Sequence, residues 1–270
     1  MSAIAEVGSP ARPELIAAPV IAVQELVHRY ESRTALDGVS FEVQPAELFG
    51  LLGPNGSGKT TLFRILSTLM LPVAGRAVIL GHDSAKEPTQ LRREIGVVFQ
   101  AQSIDLKLTA TENLRHQGHL YGLRGEVLRK RVKAILERVG LSDRARDQAE
   151  TFSGGMQRRL ELAKGLLHGP RVLLLDEPTV YLDMKHQIQF YEILERLNAE
   201  RGMTVVSVTH DLNLAARYAG RIMALRDGRF VADGVPDEVL TPQHVYEIFE
   251  IHAAVFRRPD GRGSYIIPTA

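Results

Sequence analysis

The sequence contains no cysteine, and this absence excludes several kinds of chemistry. A chain without thiols forms no disulfide, no thiolate zinc site and no iron-sulfur cluster. The lack of cysteine also fits a reducing compartment. We therefore expect no redox chemistry from this chain.

Long apolar runs and an excess of one charge are missing as well. The longest apolar stretches, such as Leu48 to Leu52 and Val172 to Leu175, are far shorter than the roughly 20 residues that span a bilayer. The formal net charge is only +1, so no strong field attracts a polyanion. We predict that the chain does not cross a membrane itself and that nucleic acid is not its partner.

Residues 1–19 are predicted to be a flexible N-terminal tail. They mix charged residues with three prolines, at positions 10, 13 and 19, whereas a signal peptide needs a basic start and an unbroken apolar core. The whole chain is 44% hydrophobic and 24% charged, which is ordinary for a packed globular protein.

Hydrophobic patterning predicts an α/β fold. Two alternating stretches, Ile21 to Leu26 and Val39 to Val43, are typical of half-buried antiparallel strands. A near-continuous apolar run at 47–52 is followed by a glycine-rich turn and a helical stretch, Leu62 to Met70. A long helical pattern covers Thr111 to Val139.

The second half alternates helices and apolar strands, as expected of a parallel sheet flanked by helices. The predicted helices are 157–167 and 187–197, and the predicted strands are 172–175 and 204–208. Two hairpin-like stretches follow, 222–231 around Asp227-Gly228 and 253–267 around Asp260-Gly261, with a helix between them.

The segment from Gly53 to Thr60, GPNGSGKT, fits the phosphate-loop pattern and lies between a predicted strand and a predicted helix, as that motif requires. Its glycines allow backbone N–H groups to surround phosphate oxygens. Lys59 can reach the β- and γ-phosphates, and Thr60 can ligate magnesium. The predicted nucleotide-binding residues are Gly53, Pro54, Asn55, Gly56, Ser57, Gly58, Lys59, Thr60 and Thr61.

Asp176 and Glu177 end a buried apolar strand, at the sheet edge where ligands gather. One interpretation is a solvated pair that begins a turn before Pro178. Together with the phosphate loop, however, Asp176 is predicted to hold Mg²⁺ through water. Glu177 is predicted to orient and polarise the water that attacks the γ-phosphate.

The segment Phe152-Ser-Gly-Gly-Met-Gln157 resembles the signature sequence of ATP-binding cassette (ABC) proteins. Ser-Gly-Gly alone is more often a turn, but here it lies shortly before the acidic strand end, as it does in that family. The resemblance implies that two ATP molecules lie between two head-to-tail cassettes, each held by one phosphate loop and by the partner's signature segment. The signature residues expected on ATP are Ser153, Gly154, Gly155, Met156 and Gln157.

The same resemblance implies roles for four more residues. Gln100 is similar to the glutamine that touches Mg²⁺ and signals to the membrane partner, and His210 to the switch histidine at the γ-phosphate. Tyr30 is similar to the aromatic residue that stacks on adenine, and Asp183 to the aspartate of the loop linking the two active sites. As alternatives, Gln100 is a polar strand end, His210 a structural histidine and Tyr30 a β-surface residue.

Two positions depart from the family pattern. Met156 stands where many signatures carry glutamine, and Tyr181 stands where a small residue usually precedes Leu-Asp. Tyr181 could perturb the contact between cassettes, and a module that binds but does not hydrolyse ATP is one alternative. The expected catalytic residues are Lys59, Gln100, Glu177 and His210, with Thr60, Gln100 and Asp176 as metal ligands.

The two halves of the chain resemble different transporters. Arg158-Arg159 and the stretch 109–123 are similar to drug and polysaccharide exporters of the daunorubicin-resistance kind. The segments Asp183 to Gln187 and His210 to Tyr218, with the last hairpin, are similar to ferric-siderophore, haem and cobalamin importers. Because Gln100 and the helices after it receive the membrane subunit in this family, we favour export.

The sequence therefore predicts a P-loop NTPase of the ABC type, with a mostly parallel central sheet, an antiparallel β subdomain and a helical insert at about 101–152. The predicted cassette spans 20–250, and 251–270 is predicted to be a β-hairpin extension. The resemblance implies an Mg²⁺-dependent ATPase that works as a homodimer or paired cassette with permease subunits, at the cytoplasmic face of the membrane. An importer would add an extracytoplasmic substrate-binding protein. A rival of another class is a soluble ABC ATPase without a transport role.

Overall fold

A computed structural model describes residues 18–31, 33–259, 261 and 263–269. The predicted tail at 1–19 therefore lies almost wholly outside the described residues, as does Asp260 of the predicted last turn.

The described residues form twelve strands and nine α-helices. The strands are β1 (Ile21–Tyr30), β2 (Arg33–Val43), β3 (Leu48–Leu52), β4 (Ala74–Ile79), β5 (His82–Asp83), β6 (Ile95–Val98), β7 (Val172–Asp176), β8 (Thr204–Val208), β9 (Arg221–Arg226), β10 (Arg229–Gly234), β11 (Ala253–Arg257) and β12 (Ser264–Pro268). The helices are α1 (Lys59–Leu66), α2 (Pro88–Glu94), α3 (Ala110–Leu120), α4 (Gly125–Arg138), α5 (Gly154–Leu166), α6 (Met184–Arg201), α7 (Leu212–Tyr218), α8 (Pro236–Val239) and α9 (Pro242–Phe249).

The central sheet has the strand order β10-β9-β3-β8-β7-β6. The strands from β9 to β6 pair in parallel, and only β10 is antiparallel to its neighbour. Every residue of β7 and β8 is buried, as expected where helices cover both faces of a parallel sheet. A second sheet, β2-β1-β4-β5, is antiparallel throughout. The predicted fold class is confirmed.

All four helices predicted with bounds differ from the observed ones. Those predicted over 157–167 and 187–197 are α5 and α6, which each begin three residues earlier, where Ser153 and Asp183 cap the helix. The stretch predicted as one helix over 111–139 is two helices, α3 and α4, because the chain turns at 121–124, where Gly122 has φ +73°. The helix predicted over 62–70 is α1, which begins at Lys59 and ends at Leu66. It stops because Thr68 takes φ +64° and the N–H groups of Leu69 and Met70 both turn back to the carbonyl of Arg64.

Strand β6 lies very close to helix α5. A Cβ built on Gly96 would lie 2.4 Å from the carbonyl oxygen of Gly165, so only glycine fits at this crossing. The contact is relevant to the site because β6 leads to Gln100 and α5 begins at the signature segment.

We predict that Gly96→Ala lowers the free energy of unfolding by about 1–3 kcal/mol, because the added methyl group meets backbone rather than a movable side chain. Urea unfolding measures the change. Gly220→Ala is the matched control, since its Cβ would have only an ordinary contact of 3.7 Å with the carbonyl oxygen of Leu48. Equal stability of the two variants would contradict the close approach.

Candidate functional site

The carboxyl ends of four neighbouring parallel strands meet at one edge of the central sheet. The phosphate loop follows β3, Gln100 follows β6 by two residues, Asp176 ends β7 and His210 follows β8 by two residues. This edge is where open parallel sheets hold ligands.

The phosphate loop has a backbone path that requires glycine. Gly53 has φ +151° and Gly58, at the start of α1, has φ +106°. A Cβ on Gly53 would lie 2.2 Å from the carbonyl oxygen of Leu225, and one on Gly58 would lie 2.3 Å from that of Ala35. The loop is thus packed tightly against Leu225 and Ala35, while Asn55 and Gly56 stay exposed. The unpaired N–H groups that begin α1 favour an anion at this point.

Lys59 is buried within its own loop. Its ammonium donates to the carbonyl oxygens of Gly53 at 2.6 Å and Pro54 at 2.8 Å. Burial lowers the pKa of Lys59, and the nearby carboxyl groups of Glu177 and Asp176 oppose that shift. The Lys59 side chain is therefore held at the loop by two of the loop's own carbonyl oxygens.

Glu177 lies at the centre of the strand ends. Its N–H donates to the carbonyl oxygen of Val208 at 3.0 Å, which ties the end of β7 to β8 and accompanies a strained φ of +42°. Gln100 Nε2 donates to Glu177 Oε2 at 3.3 Å. His210 Nδ1 lies 3.4 Å from Glu177 Oε1. The structure thus brings Gln100, Glu177 and His210 together around one carboxylate.

Asp176 is a buried acid next to a second acid. Burial, and then the charge of Glu177, raise the pKa of Asp176, while Arg64, Arg158 and Lys59 lower it. Two adjacent carboxyl groups with one of them buried create a demand for a cation. The carboxyl group of Asp176 and the hydroxyl group of Thr60, an exposed residue at the start of α1, are oxygen donors of the kind that Mg²⁺ takes.

No cluster of three or more His, Cys, Asp or Glu suited to a metal occurs among the described residues. A magnesium ion at Thr60 and Asp176 would therefore need phosphate and water oxygens to complete its shell, which is how Mg²⁺ binds at nucleotide sites.

A cleft of about 130 Å³ opens between the phosphate loop and the start of β2. Tyr30 is on its wall, and the Tyr30 hydroxyl lies 3.3 Å from Thr61 Oγ1 and 3.3 Å from the sulfur of Met70. Arg33 donates to the carbonyl oxygen of Gly56. The cleft is lined by Tyr30, Arg33, Ala35, Asn55, Gly56, Gly58, Lys59, Thr60, Thr61 and Glu177.

The signature segment lies apart from this cleft, since none of the cleft-lining residues comes from 153–157. Ser153 caps α5 by accepting from the N–H of Met156 at 3.3 Å, and both Ser153 and Gly154 are exposed. Gln157 Nε2 donates to the carbonyl oxygen of Ala149 at 3.1 Å. Met156 packs partly against the core, so its departure from the family pattern leaves the helix start intact.

Asp183 also lies outside the cleft. Its carboxylate caps α6 by accepting from the N–H of His186 at 2.9 Å, and its second oxygen lies 2.8 Å from His186 Nδ1. These bonds lower the pKa of Asp183. A Cβ built on Gly155 would lie only 2.3 Å from the His186 ring. Asp183 and the signature segment are therefore joined through His186, a residue that sequence reasoning missed.

Arg158 is a second residue whose role the sequence did not indicate. It is 7% exposed, and its guanidinium donates to the carbonyl oxygens of Phe99 at 2.6 Å, Pro178 at 2.6 Å and Asp176 at 3.4 Å. One side chain on α5 thus holds the backbone just before Gln100 and on both sides of Glu177. Only its place in a basic pair after the signature was visible in the sequence.

Comparison with known proteins places these features in a family. A model described as ABC transporter matches residues 36–180. The chain is 36% identical over 243 residues to Nod factor export ATP-binding protein I of Ralstonia nicotianae, covering 90% of this chain and 75% of that one. It is 40% identical over 219 residues to daunorubicin resistance ATP-binding protein DrrA3 of Streptomyces coeruleorubidus, covering 81% and 69%.

Solved structures agree with the sequence matches. The cassette MJ0796, dimeric in a post-hydrolysis state with ADP and Pi, is 31% identical with a TM-score of 0.71 and covers 80% of this chain and 98% of that one. The cassette cbiO1 of Clostridium perfringens, part of the complex cbiONQ, is 28% identical with a TM-score of 0.77, covering 85% and 93%.

We predict that Arg158→Lys lowers the free energy of unfolding by about 2 kcal/mol, because one ammonium group cannot donate to all three carbonyl oxygens that accept hydrogen bonds from the guanidinium. Urea unfolding measures the loss, and Arg115→Lys on the exposed surface of α3 is the control. If both variants unfold at the same urea concentration as the parent, Arg158 does not hold the strand ends.

A pH-dependent effect is expected for Asp176→Asn in buffer with EDTA. Because the folded chain raises the pKa of Asp176 above its ordinary 3.8, the folding advantage of the wild-type acid is full below that value and is lost as pH rises through the raised pKa. The variant does not titrate at this position. Its Tm, relative to that of the parent, should therefore increase from acid to neutral pH, and a difference that does not vary with pH would refute the assignment.

Proposed function

The chain belongs to the ABC transporter family and is an ATP-binding, ATP-hydrolysing subunit of such a transporter, and from that premise we propose that the transport it powers is export. The observation that carries the proposed site is the placement of Glu177 between Gln100 and His210, beside the phosphate loop. Export is supported by the relatives at 36% and 40% identity, which are named for Nod factor export and daunorubicin resistance.

In the proposed reaction the phosphate-loop N–H groups and Lys59 bind the β- and γ-phosphates of ATP. Tyr30 stacks on adenine. Thr60, Asp176 and Gln100 are the residues that would hold Mg²⁺, which supplies positive charge against the phosphate oxygens when bound. Because Lys59 is folded onto the carbonyl oxygens of Gly53 and Pro54, it exchanges those contacts for phosphate oxygens on binding.

Glu177 is the proposed group that activates water. Its carboxylate orients a water molecule for attack on the γ-phosphorus, the bond between that phosphorus and the bridging oxygen of ADP breaks, and the proton of the water passes to Glu177. His210 contacts the γ-phosphate and senses its loss. Both functions require the Gln100 and His210 contacts to Glu177 to rearrange when ATP binds.

A second cassette completes the proposed site. Ser153 and Gly154 are exposed and no residue of 153–157 lines the phosphate-loop cleft, so the signature segment is free to close over ATP held by another copy or by a paired cassette. Gly155, Met156, Gln157 and Asp183 belong to the same proposed contact. Solved relatives include dimeric cassettes.

Permease subunits are the proposed membrane partners. Among the described helices none is long and apolar enough to span a bilayer. In the proposed arrangement the permease subunits hold the cassette at the cytoplasmic face of the membrane. An importer with an extracytoplasmic binding protein remains the second candidate, favoured by the β11–β12 hairpin that resembles importer cassettes. The proposed domain limits are 20–250 for the cassette and 251–270 for this extension.

Catalysis is tested with Glu177→Gln, which removes the proposed proton acceptor but keeps the shape. We expect ATP turnover to fall at least about a hundredfold while binding of a fluorescent ATP analogue persists. Glu192→Gln, on the exposed surface of α6, is the matched control. Undiminished phosphate release by Glu177→Gln would show that the catalytic assignment is wrong.

Direction is tested by gentle solubilisation of membranes that contain the tagged chain, followed by mass spectrometry of what copurifies. We expect a permease without a substrate-binding protein. A copurifying extracytoplasmic binding protein would replace the export proposal with the importer, and soluble partners alone would contradict a transport role.

A further inference from the structure

Glu161 is a buried acid that the proposed reaction does not use. It lies on α5 and is only 4% exposed, and a carboxylate taken out of water is costly unless hydrogen bonds compensate. Its oxygens accept from the N–H of Ser103 at 2.5 Å, the N–H of Ile104 at 2.9 Å and the Ser103 hydroxyl at 2.6 Å. All three donors belong to the segment 102–104, just after Gln100. Glu161 therefore fixes this segment.

Two further side chains of α5 hold the same segment. The Lys164 ammonium donates to the hydroxyl oxygen of Ser103 at 2.9 Å and also to its carbonyl oxygen. Gln102 Nε2 donates to Gln157 Oε1 at 2.8 Å. Because Gln157, Glu161 and Lys164 are spaced at i, i+4 and i+7, they lie on one face of the helix. The segment is therefore attached to the same helix that begins with the signature residues.

Gln100 lies between two anchors on α5. The Arg158 guanidinium donates to the carbonyl oxygen of Phe99, one residue before Gln100, and Glu161 holds the segment that begins two residues after it. Gln100 itself is exposed, and its amide donates to Glu177 at 3.3 Å, which is a long hydrogen bond. The backbone position of Gln100 is therefore set by α5 from both sides.

We propose that Glu161 is a positioning residue for the magnesium site. By holding the segment after Gln100 against α5, it places the Gln100 amide oxygen where a magnesium nucleotide requires it. The proposal rests on the proposed function, in which Gln100 is a magnesium ligand. Replacing a residue that orients a metal ligand typically costs about 10–100-fold in metal affinity. Arg158 constrains only the backbone before Gln100, so it does not replace Glu161.

The test measures binding rather than turnover. A fluorescent, non-hydrolysable ATP analogue is titrated onto the full chain in EDTA and then at increasing Mg²⁺. Glu161→Met keeps a side chain of similar length that suits a helix, but it has no carboxylate oxygen. We expect the Mg²⁺ concentration for half-maximal binding to rise about tenfold or more, while binding in EDTA stays that of the parent. A chain that was merely destabilised would lose both.

Glu161→Gln is the conservative variant, because its amide oxygen still accepts from the N–H groups of Ser103 and Ile104. It should restore most of the parental response to Mg²⁺. Glu137→Gln, on the exposed surface of α4, is the matched control and should behave as the parent does. If Glu161→Met does not fold, Ser103→Ala removes one donor without changing the helix, and the Mg²⁺ requirement should then rise about threefold.

Gln100→Ala separates this proposal from the proposed function. If Gln100→Ala raises the Mg²⁺ requirement while Glu161→Met and Ser103→Ala leave it at the parental value, Gln100 is a ligand that Glu161 does not position, and the proposal is overturned. If Gln100→Ala itself has no effect, the proposed metal role of Gln100 is wrong, and the positioning role fails with it.

Discussion

The alignment of the site depends on one buried guanidinium. Arg158 lies on the helix that begins with the signature segment, and it donates to carbonyl oxygens at the ends of β6 and β7. Parallel pairing orders the strands as far as Val98 and Asp176, but the residues that follow, such as Phe99 and Pro178, lie beyond the paired strands and need another constraint. A guanidinium with several fixed donors supplies it. Gln100 follows Phe99, and Glu177 lies between Asp176 and Pro178, so these contacts hold Gln100 and Glu177 within hydrogen-bond distance of each other.

Most charged side chains of the site are paired with other groups of the chain. Lys59 bonds to carbonyl oxygens of its own loop, and Glu177 is held by Gln100 and faces His210. Asp176 is the exception, since burial and its neighbour raise its pKa. Binding of a magnesium nucleotide would therefore stabilise the ionised form of Asp176. Most of the other side chains would exchange contacts within the chain for contacts with the nucleotide. This places the energetic demand for a cation at the end of β7.

Local motifs were readable from the sequence because their chemistry is contiguous. The phosphate loop, the acidic strand end and β8, observed at the predicted residues 204–208, each depend on neighbours in the chain. The residues that sequence reasoning missed act over long separations: Arg158 reaches a carbonyl 59 positions away, and His186 meets Gly155 only after the fold forms. The turn at 121–124 and the early end of α1 were missed because apolar periodicity continues through both, whereas the backbone conformations of Gly122 and Thr68 end the helices.

The nucleotide site that we propose is shared between two copies of the chain. A structure of the Glu177→Gln variant with Mg-ATP tests it most directly. We predict two ATP molecules in a symmetric dimer, each bound to the phosphate loop of one chain, with Ser153 to Gly155 of the other chain at its γ-phosphate. ATP enclosed by a single chain, with the signature segment still facing solvent, would contradict a shared site.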